Sequence, residues 1–355
     1  MSDCLNIKSS IHDYKVFFVD DFSLSLKKQI IDGDFILIDQ NIYHLYRQKL
    51  APILDRLHHI IIKPSEEQKS YLNLAPIIEV LIQKNYKKNN RVVAIGGGIT
   101  QDIAAFISST LYRGVEWFFF PTTLLAQCDS CIGGKSSINF GKYKNQLGNF
   151  YPPNEIVIDI NFLNTLNDID IRSGMGEMIH FYLISGKDDF NTIKSNYDIA
   201  LRDYKVLKDL IRRSLKIKKK VIEIDEFDKK QRLLFNYGHS FGHAIESLTN
   251  YRIPHGIAVS YGMDIANYLS YKFDYITEEL WMEIRELLKL NWEQTPLGEI
   301  NVQRFASMLQ KDKKNIGSKI NVILTRGVGN MFKTELDLTK EFFTWMEDYF
   351  QIHVS

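Results

Sequence analysis

Residues 91–110 constrain the fold of this chain more than any other stretch. An apolar run, Arg91-Val92-Val93-Ala94-Ile95, enters three consecutive glycines, Gly96-Gly97-Gly98, and TQDIAAFISST (100–110) follows with helical spacing. A strand that turns through glycines directly into a helix is the corner at which open α/β sheets hold phosphate. Glycine lets a pyrophosphate approach the backbone, and the helix N-terminus favours its charge. A tight strand–helix turn without a ligand reads alike, and the triplet is not the usual G-x-G-x-x-G, so the neighbours decide. Residues 35–38, 60–62, 118–120 and 156–158 are further apolar runs of the kind left by buried parallel strands, and 71–83 has helical spacing. The alternation predicts a Rossmann-like α/β domain over residues 1–168. Beyond it, helical patterns dominate at 174–185, 199–225, 241–248, 257–271, 278–289 and 338–350, with one clear strand at 320–324. Residues 169–355 are therefore predicted to form a second, mainly α-helical domain.

Polar residues follow the apolar runs where such sheets bind ligands. Asp39 and Asn41 come after the first, Glu66 and Lys69 after the second, and Thr122 and Thr123 after the fourth. Carboxylates at strand ends commonly hold ribose hydroxyls, so a dinucleotide is expected. The stretch DSCIGGKSSINFGKYKN (129–145) reads as a flexible loop able to hold phosphate through Lys135, Lys144 and Asn145, or as a mobile polar loop with no such task.

The chain's 355 residues suit two domains, and 45% hydrophobic with 25% charged residues is ordinary for a globular protein. A net charge of +1 argues against nucleic-acid binding by bulk electrostatics. Apolar runs are too short for a membrane span, and the N-terminus lacks an uninterrupted apolar core, so a cytoplasmic protein is expected. Cys4, Cys128 and Cys131 make no disulfide framework; Cys128-Asp-Ser-Cys131 is formally a redox motif but sits inside the polar stretch. The lysine-rich run 216–220 reads as a solvated helix face.

In RLLFNYGHSFGH (232–243), His239 and His243 are four residues apart and share a face if the segment is helical, and His255 follows a short break. Neutral imidazoles plus a carboxylate from another element can hold a divalent metal with one position open. A helix with two partly exposed histidines is the alternative.

Taken in order, GGGITQDIAAF (96–106), YRGVEWFFFPTTLLAQCDSCIGGKSSIN (112–139), KNQLGNFYPP (144–153), RSGMGEMIHF (172–181), IKKKVIEIDE (217–226), RLLFNYGHSFGHAIE (232–246), PHGIAVSYGM (254–263) and KDKKN (311–315) resemble 3-dehydroquinate synthase and, more broadly, the sugar phosphate cyclases. The resemblance implies a homodimer with an NAD-binding N-terminal domain and a helical metal-binding C-terminal domain. It implies zinc or cobalt on Glu177, His239 and His255, which makes His243 a substrate-site residue and not a ligand. It implies NAD contacts at Asp39, Asn41, Glu66, Lys69, Gly97, Gly98, Asp102, Thr122, Thr123, Lys144 and Thr165. Asp129, Lys135, Asn145, Lys218, Arg232, Asn236 and Lys313 match the substrate pocket, and Arg113 matches an arginine that reaches the neighbouring subunit's site.

The implied reaction oxidises a secondary alcohol of a phosphorylated seven-carbon sugar acid with NAD, eliminates phosphate, returns the hydride and closes a carbocycle by an intramolecular aldol step. The metal acidifies the alcohol, and His243 suits proton carriage. Arg232 and Asn236 match the dehydroquinate synthases, where a guanidinium suits a substrate carboxylate. Sister cyclases acting on sedoheptulose 7-phosphate or glucose 6-phosphate are the nearest alternative; a polyol dehydrogenase of similar plan and a non-catalytic descendant are more remote. The chain departs from the family pattern at His180, where lysine is usual; one turn from Glu177, His180 is expected to face the same pocket. Other departures are Ile99-Thr100-Gln101, which is expected to bring a bulky amide near the dinucleotide, Ser65 before Glu66, Ser136 after Lys135, and Tyr143 in place of a common glycine.

Overall fold

The computed structural model describes residues 4–141, 143–310 and 319–353. Two compact units are present: one runs to Leu166 and adds Ile222–Phe227, and the other comprises Asn167–Val221 and the chain from Asp228.

The first unit is an α/β sheet. Its strands are β1 (Cys4–Ile7), β2 (Tyr14–Val19), β3 (Phe35–Asp39), β4 (His58–Ile62), β5 (Val92–Gly96), β6 (Trp117–Pro121) and β9 (Glu155–Asp159); β7 (Ile138–Phe140) and β8 (Tyr143–Leu147) form a separate hairpin. The helices are α1 (Phe22–Gln29), α2 (Gln40–Leu45), α3 (Arg47–Leu54), α4 (Tyr71–Gln83) and α5 (Gly98–Thr110). Strand order is β1-β2-β9-β6-β5-β3-β4, and all pairs are parallel except β1 with β2. β3, β5 and β6 are buried at every position, which is why they read as unbroken apolar runs. The chain passes from β3 outward to β4, then returns to the other side of β3 for β5 and continues outward through β6 and β9. The winding therefore reverses between β3 and β5, and a crevice opens beyond their carboxyl ends, where Asp39 and the glycine triplet lie.

The polar stretch 129–145, expected to be a flexible loop, is built instead. A π-helical turn over Ala126–Ser130 leads to the β7–β8 hairpin, and the Cys128 and Cys131 thiols are buried and not joined in a disulfide. The Gln127 amide anchors the turn by donating to the carbonyls of Pro121 and Asp159.

The second unit contains α6 (Asp168–Ser185), α7 (Lys187–Ala200), most of α8 (Tyr204–Ile222), α9 (His239–Leu248), α10 (His255–Lys272), α11 (Glu278–Trp292), α12 (Val302–Gln310) and α13 (Lys340–Asp348), with the hairpin of β10 (Lys319–Thr325) and β11 (Met331–Asp337). The helix expected over 199–225 is shorter, and α7 before it was not expected. α7 stops at Ala200, Asp203 caps the start of α8 by accepting from the Lys205 amide, and α8 ends at Ile222. The following residues turn back to the first unit, where Glu223 accepts from the Lys8 amide and Glu226 accepts from Ser9 and Ser10. In the lysine run of α8, Lys216 and Lys220 are exposed while Lys218 is buried. α10 is buried on all sides over residues 256–270 and packs against α6, α9 and α11, so it is the axis of this unit.

Candidate active site

Three glycines set the geometry of the helical unit. A Cβ on Gly176 of α6 would strike the Gly256 carbonyl, and one on Gly256 of α10 would strike the Ser173 carbonyl. Backbone meets backbone at this crossing, which brings the residues adjoining the two glycines, Glu177 and His255, to the same place. Gly238 has φ +77°, a left-handed conformation that caps α9 and turns His239 inward.

Glu177 Oε1 thereby lies 3.1 Å from His255 Nε2 and 3.5 Å from His239 Nε2. One ligand atom from each of Glu177, His239 and His255 lies within 4.8 Å of the others. The outward ring nitrogens are already engaged. His239 Nδ1 is 3.2 Å from the Tyr237 carbonyl, and His255 Nδ1 is 3.2 Å from Glu246 Oε2. This is the arrangement in which an outer carboxylate or carbonyl fixes the tautomer and aims Nε2 at a cation. Glu177 Oε1 is buried with no hydrogen-bond partner. The donor set thus fits a borderline divalent cation such as zinc or cobalt. Burial pushes the Glu177 carboxyl up, but His239 and His255 outweigh it and hold the group well below the usual range.

His180 is also in this cluster, its Nδ1 3.9 Å from Glu177 Oε2 and its ring centroid 5.0 Å from that of His239. It is almost wholly buried and both ring nitrogens lack hydrogen-bond partners. Burial, then the charge of His239, pushes it down to about 3, so the ring is neutral. His243, on α9 one turn beyond His239, is exposed and stacks near His255 at 5.6 Å. The Lys218 ammonium lies 5.9 Å over the Phe181 ring; Arg232 is buried in the turn Gln231–Asn236, where the Asn236 amide donates to the Leu233 carbonyl. Lys313 lies outside the described residues.

In the α/β unit, the residues carried over by resemblance fall into two groups. At the crevice, Asp39 Oδ1 caps α2 by accepting from the amides of Asn41 (2.7 Å) and Ile42 (3.3 Å), and Gly97 is so close to Thr123 that a Cβ would meet its methyl at 3.0 Å. Thr122 is buried at the end of β6 and Gly98 opens α5 with open space beside it. Beside α5, Lys69 donates to Asp102 at 3.0 Å and to Asn145 at 3.2 Å and lies 3.5 Å from Glu66. Lys144 is 4.0 Å from Glu66. Burial pushes the Asp102 carboxyl up to about 6 against the opposing charge of Lys69.

The other expected residues lie on further elements of this unit. The Thr165 hydroxyl donates to the Phe162 carbonyl after β9. Arg113 is exposed in a turn with φ +64° that follows α5. Asp129 belongs to the π-helical turn and Lys135 is exposed just before β7. The bulky amide of Gln101 is not presented to a ligand: it donates to the Ser130 carbonyl and accepts from the Ser130 hydroxyl, both at 2.6 Å.

Two contributors were missed in the sequence. Glu246 lies two helical turns beyond His239, a spacing that puts both on one face of α9. Asn139 donates to Glu66 at 2.8 Å and accepts from the Asn145 amide, and no local pattern announces that.

The known proteins that this chain is similar to agree with these features. A family model described as 3-dehydroquinate synthase N-terminal matches residues 59–173, and one described as 3-dehydroquinate synthase C-terminal matches residues 174–315. The chain belongs to the 3-dehydroquinate synthase family. It is 34% identical to the 3-dehydroquinate synthase of Alkaliphilus metalliredigens over 89% of this chain and 90% of that one. Solved sugar phosphate cyclases share the 3-dehydroquinate synthase fold. A 2-epi-5-epi-valiolone synthase from Streptomyces hygroscopicus with NAD+ and Zn2+ bound superposes with TM-score 0.83 at 22% identity, covering 97% of this chain and 99% of that one. A 2-deoxy-scyllo-inosose synthase complexed with carbaglucose-6-phosphate, NAD+ and Co2+ gives 0.82 at 22% identity, covering 97% and 98%. The chain is accordingly an enzyme of the 3-dehydroquinate synthase type, a lyase.

Proposed function

We propose that this enzyme converts 3-deoxy-D-arabino-heptulosonate 7-phosphate to 3-dehydroquinate and phosphate, as a homodimer, with NAD and zinc or cobalt. The observation that carries the reading is the Glu177–His239–His255 cluster, with its orphaned carboxylate oxygen, in a chain of this family. Bound NAD supplies a hydride acceptor, and the bound cation supplies acidity to the substrate alcohol. Glu177, His239 and His255 hold the cation, and Glu246 and the Tyr237 carbonyl orient the two imidazoles. Gly97, Gly98 and the start of α5 take the pyrophosphate. Asp39, Asn41, Glu66, Lys69, Asp102, Thr122, Thr123, Lys144 and Thr165 are assigned to the rest of the dinucleotide.

Arg232 and Asn236 are assigned to the substrate carboxylate, and Lys135, Asn145, Lys218, Lys313 and Arg113 to its phosphate and hydroxyls. His243, exposed on α9, carries protons to and from the substrate, and Asp129 is assigned to the substrate pocket. The test is phosphate release from this substrate with NAD and either cation. Dehydroquinate formed with no net NADH supports the reading, and no release from folded, cation-loaded protein refutes it.

A second reading is favoured by His180. A buried neutral imidazole stands where the family usually places lysine, which suits a ligand with hydroxyls at that point more than one with an anion. A sister cyclase acting on sedoheptulose 7-phosphate is that alternative. His180→Lys is expected to raise turnover of the heptulosonate several-fold if the first reading holds; unchanged or lower turnover together with activity on sedoheptulose 7-phosphate supports the second.

A further inference from the structure

The imidazole of His255 faces two ways. Its Nε2 points at Glu177 and His239, and its Nδ1 points at Glu246, 3.2 Å away. Beyond Glu246 lies His243, one turn earlier on α9, and one ligand atom each from His243, Glu246 and His255 again lies within 4.8 Å of the others. The inner triad contains a buried carboxylate, whereas the outer one opens at an exposed His243 with Glu246 partly buried. Two imidazoles and one carboxylate is a donor set of the same kind as the inner triad, with room for water on the exposed side.

We propose that His243 and Glu246, against the outer edge of His255, form a second divalent-cation site that fills only when metal is in excess. The inference rests on the reading that Glu177, His239 and His255 hold the inner cation. With Nε2 on the inner cation, His255 Nδ1 keeps its proton and its hydrogen bond to Glu246, so the outer cation is held by His243, Glu246 and water alone and is the weaker of the two. A cation there occupies His243, the residue assigned to proton carriage, so excess zinc inhibits by removing that group and leaves the inner cation in place.

The experiment is equilibrium dialysis of chelator-stripped protein against zinc, with folding monitored by circular dichroism. Wild type is expected to bind two equivalents per chain, the second at least tenfold more weakly than the first. His243→Ala is expected to lose the second equivalent and keep the first. Glu177→Gln is expected to lose or greatly weaken the first and keep the second. One equivalent in the wild type, or a second equivalent that survives in both His243→Ala and Glu246→Gln, overturns the proposal and leaves the inner site untouched. No bound zinc at all overturns the inner-site reading itself.

Discussion

Two polar clusters, one in each unit, are arranged in opposite ways. Beside α5, Lys69, Asp102, Glu66, Asn139 and Asn145 pair with one another. Around α6, α9 and α10, the buried Glu177 Oε1 faces only the imidazoles of His239 and His255, and both nitrogens of the buried His180 lack a hydrogen-bond partner. A buried polar atom left unpaired costs about 1–3 kcal/mol, so the first arrangement is complete by itself and the second gains stability from a guest. The contrast teaches where dependence on a bound group should lie. The helical unit should depend on its cation for stability, and the α/β unit should fold with its crevice empty.

The sharpest way to break this contrast is to remove an inner imidazole. His239→Ala is expected to lose the bound cation and to lower turnover by about a thousandfold or more, in the range seen when a central catalytic group is deleted. Metal content and phosphate release measured on one sample check both, and full activity in a metal-free sample would break the account.

Next in size is a change that touches no ligand. Gly256→Ala forces α10 away from α6, and overpacking of this kind costs about 1–3 kcal/mol. Cation affinity should fall by about tenfold, because Glu177 and His255 no longer meet. Unchanged affinity by competition with a chromogenic chelator would mean that the crossing does not set the cluster.

In the α/β unit, Lys69→Met leaves Asp102 without its cation. The expected effect is a loss of about 1–3 kcal/mol in denaturant unfolding of that unit, with zinc content unchanged. Zinc loss in this variant would show that the contrast between the units is not real.

The smallest effect is a pH dependence. Asp102 keeps its proton up to about pH 6 in the folded chain, against an ordinary value of 3.8. Folding therefore takes up a proton between those values, and this group's contribution to stability falls as pH rises from about 4 to 6 and is level above. Asp102→Asn should reduce the fall in melting temperature between pH 4 and 6 by about 2 °C. Identical slopes in the two proteins would mean that Asp102 titrates normally.

Much of the frame was legible because burial leaves periodic traces. β3, β5 and β6 are covered on both faces, so each appears as a continuous apolar run. β1 gave no such trace, since Cys4 and Asn6 are exposed, whereas β2 carries a short apolar run, Val16-Phe17-Phe18-Val19, that was passed over. α7 was passed over because its buried residues, Phe190, Ile193, Tyr197 and Ala200, are spread thinly among polar ones. In the site, His239 and His243 announced themselves by spacing. Glu177 came from family resemblance alone, because nothing local distinguishes it from other helix carboxylates. The glycines beside Glu177, His239 and His255 are in plain view in the sequence, but their purpose is a contact with a distant element. The fate of Gln101 was misread for the same reason: Ser130, its partner, lies 29 residues away.

The most direct measurement is the stability of the protein with and without zinc, read by hydrogen exchange so that each unit reports separately. The account predicts that zinc in hundredfold excess over its dissociation constant slows exchange in α6, α9 and α10, by up to the roughly 2.7 kcal/mol that mass action allows, and leaves β3, β5 and α5 unchanged. Equal protection of both units, or none in the helical one, would contradict it.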